Sequence, residues 1–136
     1  KNPRHIDPGE YTVVLTPYAS EDILNMLNYY GMGAQAVLEG RSWMCDRLGQ
    51  RVMSDVVNIW DDGLDSAGVP TPFDFEGVAK RRVNIVEKGV VKSPVFDRIT
   101  ARKMGEQTTG HALPPTMRSF GPIATNLFMA AGTNST

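Results

Sequence analysis

The stretch PFDFEGVAKRRVNIVEKGVVKSPVFDRITARKMGEQTTGH, residues 72–111, decides the fold of this chain. Two β-rich runs, 82–87 and 90–96, flank a Lys-Gly pair, which predicts a hairpin because glycine adopts positive φ without steric cost. Asp97 is a typical N-cap for the helical run ITARKM, and Gly105 is a typical helix end. This stretch therefore predicts a β-hairpin followed by a short helix.

Outward from this stretch, hydrophobic spacing and turn residues predict further short elements. Ser20 and the two acidic residues after it are typical of a helix start, and Gly31 is typical of its end. Val83 and Ile85 alternate with polar neighbours, so one face of the hairpin is expected to be buried. The other predicted elements are strands at 11–15, 52–60 and 125–130, short helices at 34–39 and 43–48, and loops at 61–71 and 105–121. Many α+β domains could combine such elements, so the pattern alone does not single out one fold.

Composition limits the classes of function. A chain of 136 residues has room for one domain with a core, and a net charge of −1 gives no electrostatic attraction to nucleic acid. No apolar run approaches the roughly 20 residues that a membrane-spanning helix needs. Cys45 is the one cysteine, which excludes an internal disulfide and favours a reducing compartment. We therefore expect a cytoplasmic protein that binds neither nucleic acid nor membrane.

The loop at 105–121 contains the candidate substrate-binding residues. It is long and polar, and loops of this length in compact domains are usually functional or disordered. Thr109, Gly110, His111 and Arg118 are the residues that we predict to face a substrate. The plain alternative is an exposed surface loop, in which His111 faces solvent and Arg118 lies in a crossover.

Acidic residues elsewhere favour turns rather than a calcium site. Asp61, Asp62 and Asp65 lack the spacing of an EF-hand, whose twelfth position is a Glu, since that position is a proline here. Hydrogen bonds from these side chains to nearby backbone are the favoured interpretation. Asp74 and Glu76 are interpreted as solvated loop carboxylates.

The order of motifs along the chain carries a resemblance. Within residues 72–111 the order is PFD, EG, a pair of Arg residues, the hairpin, D-R-x-T-A-R-K-x-G and T-G. Elsewhere the chain contains YTVVLTP near its start, LEGRS at 38–42, DDG at 61–63 and NLFM at 126–129. This order resembles the C-terminal half of the TldD/PmbA family, cytosolic peptide-maturation proteases once called modulators of DNA gyrase. The resemblance runs from about Asp7 to the end. It implies that residues 1–136 are a single domain, or a fragment, of the TldD/PmbA-like C-terminal domain. It also implies an α+β fold with a mixed, largely antiparallel sheet and short helices.

Within that resemblance, one motif is missing. The metal-binding members carry H-E-x-x-x-H on a helix after the first strand, and zinc needs such imidazoles with a carboxylate to act on bound water. An ungapped comparison places Asn25, Met26 and Tyr30 at those three positions. The resemblance therefore implies the PmbA side of the family, with no metal, no cofactor and no catalytic residue in this chain.

Two functions follow as hypotheses. The first is a PmbA-like subunit of a cytosolic TldD/PmbA-type metallopeptidase, which pairs with a metal-bearing TldD-like homologue or with itself and holds an unfolded peptide. The alternative is a non-enzymatic homo-oligomer that binds peptides or another ligand. A role with DNA gyrase is weaker, because the charge of the chain gives it no support.

Overall fold

The fold is described by a computed structural model that covers residues 3–132. Its helices are α1 (Pro17–Gly31), α2 (Ala34–Leu38) and α3 (Arg98–Met104), with one 3₁₀ helix (Pro115–Phe120). Its strands are β1 (Ile59–Asp61), β2 (Val83–Glu87), β3 (Val90–Val91) and β4 (Leu127–Met129).

The four strands form one sheet in the order β3-β2-β1-β4. Each neighbouring pair is antiparallel, and β1 and β2 are the two inner strands, so that β4 lies at one edge beside β1. A single parallel bridge, Gly33 to Val95, lies outside the named strands. The predicted α+β fold with a largely antiparallel sheet and short helices is confirmed.

The hairpin and helix predicted from residues 72–111 are both present. The turn between β2 and β3 uses positive φ at Lys88 (48°) and Gly89 (73°), as a tight hairpin turn requires. A side chain at position 89 would also meet the Met53 carbonyl oxygen, 2.1 Å from the Cβ position. Asp97 caps α3 by accepting the Thr100 N–H at 2.7 Å, and the α3 C-cap residue, Gly105, has φ 71°.

The hydrophobic core lies between the sheet and the first two helices. Ile85 is fully buried, as the alternation predicted, and the partly buried Leu24 and Leu27 of α1 pack against the core cluster. The buried members of that cluster are Met32, Met44, Ile59, Val83, Ile85, Val86, Val91, Val95 and Ala124.

Four predicted elements differ from the structure. Residues 11–15 form no strand and are exposed, because β-type residues need a partner strand and the described residues supply none. Residues 43–48 form turns rather than a helix, since Asp46 adopts φ 56°. The strand predicted at 52–60 begins only at Ile59, and α1 begins three residues before Ser20, with Thr16 as its N-cap. No helix among residues 3–132 combines the length and hydropathy needed to cross a bilayer.

Candidate functional site

A chain of buried polar side chains lies beneath the start of β4. The Asp61 Oδ1 and His111 Nε2 atoms are 2.8 Å apart, and His111 Nδ1 lies 2.8 Å from the Thr109 hydroxyl. This carboxylate–imidazole–hydroxyl order is that of a catalytic triad. However, the side chains of Asp61 and His111 have no solvent exposure, and the Thr109 oxygen accepts the backbone N–H of Phe96 at 2.7 Å. The arrangement therefore organises the fold and offers a substrate no nucleophile.

Asp61 also holds the chain that enters β4. Its Oδ2 accepts the backbone N–H groups of Thr125 and Asn126, both at 2.7 Å. Burial alone would raise the pKa of Asp61, but interactions with His111, the Asn126 amide and Lys80 outweigh it and leave that pKa below its ordinary value. The ionised carboxylate is thus a fixed acceptor at the end of β1.

Lys80 is a second buried charge beside this cluster. Its ammonium group donates to the Thr125 hydroxyl, and its stem crosses Gly63, where a Cβ would lie 2.5 Å from the Lys80 Cδ. Burial lowers the pKa of Lys80, while the charges of Asp61 and Asp74 act in the opposite direction. The two carboxylates thus offset the cost of burying this ammonium group.

Asp74 is buried, which corrects its interpretation as a solvated carboxylate. Its Oδ1 accepts the N–H groups of Glu76 and Val78, each at 2.9 Å, and its Oδ2 accepts that of Ala112 at 2.9 Å. Glu76 is half-buried and accepts the N–H of Arg98 at 3.1 Å. Asp74 therefore joins its loop to the segment at Ala112, and Glu76 joins the same loop to the start of α3.

Asn28 ties α1 to the segment that precedes β4. Its amide nitrogen donates to the Ala124 carbonyl at 2.8 Å, and its amide oxygen accepts the Ala124 N–H at 3.3 Å. Both backbone groups of Ala124 are thereby satisfied by a single buried side chain. The distance between α1 and β4 is set at this point.

Asn126 fixes the loop after β1. Its Oδ1 accepts the Val69 N–H at 2.8 Å, and its Nδ2 donates to the carbonyls of Asp62 and Asp65. A Cβ at Gly68 would lie 2.2 Å from the Asn126 Oδ1, so glycine permits this close approach. The turn hydrogen bonds expected from the acidic loop are confirmed for Asp62 and Asp65, which each accept a backbone N–H two residues ahead. The same expectation is wrong for Asp61, which ends β1 and accepts the distant N–H groups of Thr125 and Asn126.

An open groove separates α1 from β4. We call it the α1–β4 groove and define it by the α1 residues Glu21, Leu24 and Asn25 on one side and by residues 124–132 on the other. Its largest cavity has a volume of about 590 Å³, and two further cavities of about 230 and 280 Å³ open along it.

The groove borders a strand edge that carries no partner within residues 3–132. Just beyond one end of the β1–β4 pair, the Asp62 N–H donates to the Asn126 carbonyl at 3.0 Å. Just beyond the other end, the Ala130 N–H donates to the Asn58 carbonyl, also at 3.0 Å. Because an antiparallel ladder uses alternate residues, the Leu127 and Met129 backbone groups point away from β1. β4 therefore presents N–H and C=O groups to an additional strand.

The four residues predicted to face a substrate occupy different surroundings. Thr109 and His111 contact each other in the interior, so the solvent-facing alternative for His111 is wrong. Gly110 is also buried, with φ 75°, and a Cβ there would lie 2.8 Å from the Ala79 carbonyl oxygen. Arg118 is exposed in the 3₁₀ helix. Substrate contact by these four residues stays a prediction. Thr109, Gly110 and His111 are buried, so a substrate has little access to their side chains.

The three positions compared with the metal motif all lie on α1. Asn25 lines the groove, while Met26 and Tyr30 are 63% and 59% exposed. Within residues 3–132, no three His, Cys, Asp or Glu side chains are grouped so that they could hold a metal ion.

Comparison with known proteins identifies the family to which this α+β fold belongs. Residues 8–136 match the family described as the PmbA/TldA metallopeptidase C-terminal domain. This chain belongs to the PmbA/TldD family.

Individual relatives agree with that assignment. A Methanocaldococcus jannaschii metalloprotease is 31% identical over 76% of this chain and 23% of its own length, and the Escherichia coli metalloprotease PmbA is 32% identical over 57% and 17%. A crystal structure of a Thermotoga maritima protein, described as a candidate modulator of DNA gyrase, superposes with a TM-score of 0.74 at 30% identity, covering 84% of this chain and 26% of that one. The chain spans about a quarter of the length of the curated relatives it matches.

Sequence reasoning missed three residues that shape the groove. Asn28, Asp61 and Asn126 bond to groups 50 or more positions away in the chain. Two of them begin motifs of the family resemblance, because Asp61 opens DDG and Asn126 opens NLFM. Asn28 is one of several polar residues on the predicted helix, and no local pattern distinguishes it. Asp61 begins an acidic segment whose composition is typical of a loop.

Proposed function

We propose that this chain is part of a PmbA-like subunit of a cytosolic TldD/PmbA-type metallopeptidase, in which it holds an extended, unfolded peptide. The observation that supports this proposal is the outward-facing edge of β4 beside the α1–β4 groove. A peptide that adds to such an edge satisfies its backbone groups without a demand on its sequence. That mode of binding suits a peptidase of unfolded chains.

In this proposal a metal-bearing TldD-like homologue supplies hydrolysis. Asn25, Met26 and Tyr30 stand where the metal-binding relatives carry His, Glu and His, and the Asp61–His111–Thr109 chain is sealed in the interior. Water activation needs positioned groups that a substrate can reach. The chain accordingly needs no metal or cofactor of its own for its role.

Cleavage assays of the full-length protein test the division of labour. Alone, it should leave unfolded peptides intact and bind no stoichiometric zinc, and the metal-bearing homologue should confer cleavage that a chelator abolishes. Cleavage by the protein alone that resists chelators would contradict the proposal. Peptide binding by a homo-oligomer, unchanged by the homologue, would instead favour the non-enzymatic binding protein.

A proline scan of β4 tests the binding edge itself. Met129→Pro removes an outward N–H that β1 does not use, so the fold should persist while peptide affinity falls about two- to tenfold, the value of one hydrogen bond. Phe128→Pro is the matched control, because it removes an N–H directed at β1 and should destabilise the sheet. Unchanged peptide affinity in a folded Met129→Pro protein would place the peptide elsewhere.

A further inference from the structure

Residues 11–15, YTVVL, have the composition of a strand but lie exposed at one end of the α1–β4 groove. Val13 and Val14 are 67% and 87% exposed, and no backbone group of this segment forms a hydrogen bond with any residue in the range 3–132. Leu15 lines two cavities of the groove together with Met129. A segment of β-type sequence without a partner therefore meets the unpaired edge of β4.

The direction of α1 determines how this segment can lie on β4. Near its last turn, α1 bonds to Ala124 through Asn28, whereas Leu15, just before its first turn, lies at the Met129 end. The helix therefore runs antiparallel to β4. With Leu15 beside Met129, the residues before it reach Leu127 only if the segment runs in the same direction as β4. A parallel strand followed by a helix that packs back on the sheet is the ordinary geometry of a βα unit.

The side chains of the segment fit this position. In β4, Leu127 and Met129 lie on the side of α1, whereas Phe128 stacks on the opposite face of the sheet. Alternation along a strand places Val13 and Leu15 beside the first two of these residues. Docking in this register removes exposed apolar surface from water and supplies partners to the outward backbone groups of β4.

We propose that residues 11–15 form a strap, which docks on the edge of β4 as a parallel strand and competes there with a bound peptide. The strap is joined to α1 through its N-cap, Thr16, so its effective concentration at the edge is that of a short tether, on the order of millimolar. The structure shows the undocked arrangement, in which the edge is open. The competition rests on the proposed function, which supplies the peptide, whereas the docking does not.

A pair of introduced cysteines tests the docking without any peptide. In full-length protein that carries Cys45→Ser, Val13→Cys and Leu127→Cys would lie on adjacent strands about 4.8 Å apart, a separation that a disulfide can bridge. The matched control combines Leu127→Cys with Ile6→Cys, because Ile6 and Val13 are 71% and 67% exposed. Under mild oxidation, we expect the intrachain disulfide to form at least about tenfold faster for the strap pair, since docking aligns its thiols. Equal rates would overturn the docking, whether or not a peptide binds.

Peptide titrations test the competition. Val13→Asp places a charge on the apolar side of the strap and should keep it off the edge, because an unpaired charge is costly to bury. By fluorescence anisotropy, this variant should bind an uncharged, unstructured peptide about two- to fivefold more tightly than wild type, since the fraction of protein with an open edge rises.

The same change before the strap, Ile6→Asp, is the control and should leave peptide affinity unchanged. Unchanged or weaker binding by Val13→Asp would overturn the competition and leave edge binding intact. Failure of wild type and both variants to bind any peptide would overturn the proposed function together with the competition, while the rate of cross-linking would still decide the docking.

Discussion

The buried cluster around Asp61 and the α1–β4 groove use polar groups in opposite ways. In the cluster, Asp61 and His111 are sealed from solvent, and each polar atom of the pair has a partner. In the groove, the polar groups that face solvent are backbone amides of β4 and a few ordinary side chains such as Glu21 and Asn25.

This difference shows why catalytic-looking residues are a poor guide to function in this chain. The Asp–His–Thr arrangement has the distances of a triad, but it serves to anchor the start of β4 through two backbone amides. The cluster thereby positions the strand whose edge borders the groove. Substitutions in the buried cluster should therefore lower the free energy of unfolding. Substitutions in the groove should leave that free energy nearly unchanged, and under the proposed function they alter peptide affinity.

The largest effect should come from Asp61→Ala. This change removes the partner of His111 and leaves the N–H groups of Thr125 and Asn126 without an acceptor. Breaking one side of a buried pair typically costs about 3–5 kcal/mol, so the free energy of unfolding should fall by that order. Urea unfolding of the full-length protein measures it, with Asp65→Ala as a control that removes only a turn hydrogen bond. A loss below about 1 kcal/mol for Asp61→Ala would contradict the anchoring role.

A smaller effect is expected on α1, where Asn28 and Asn25 form a matched pair. Asn28→Ala leaves the Ala124 N–H and C=O unsatisfied and should lower the free energy of unfolding by about 1–3 kcal/mol. Asn25→Ala changes an exposed residue and should alter stability by less than about 0.5 kcal/mol. Thermal melting compares them, and equal losses would show that Asn28 does not set the spacing between α1 and β4.

The smallest effect concerns pH. The folded pKa of Asp61 lies below 3.8, its ordinary value, so the carboxylate contributes stability that is present above that value and lost as pH falls through the folded pKa. Between pH 5 and pH 2, the urea midpoint of wild type should therefore fall more steeply than that of Asp61→Asn. Parallel curves would show that Asp61 titrates alike in the folded and unfolded chains. Glu21→Gln, in the groove, is the control for loss of an exposed carboxylate.

The predictability of each element follows from the range of its interactions. The Lys88-Gly89 turn, the Asp97 cap with its Thr100 partner and the Gly105 end are all determined by neighbours within a few positions. They were therefore predictable from 72–111 alone. The segment at 11–15 has a similar β-type composition, but a strand needs a partner whose presence no local pattern reveals.

The sequence by itself determined the family, the α+β class and the hairpin with its helix, because motif order and turn chemistry are local properties of the chain. Only the tertiary structure decided that His111 is interior, since its partner Asp61 lies 50 positions away. It also decided that Asn28 meets Ala124 across 96 positions, which places α1 beside the edge of β4. Burial and long-range hydrogen bonds depend on how distant segments pack, so the groove could not be predicted from any single stretch.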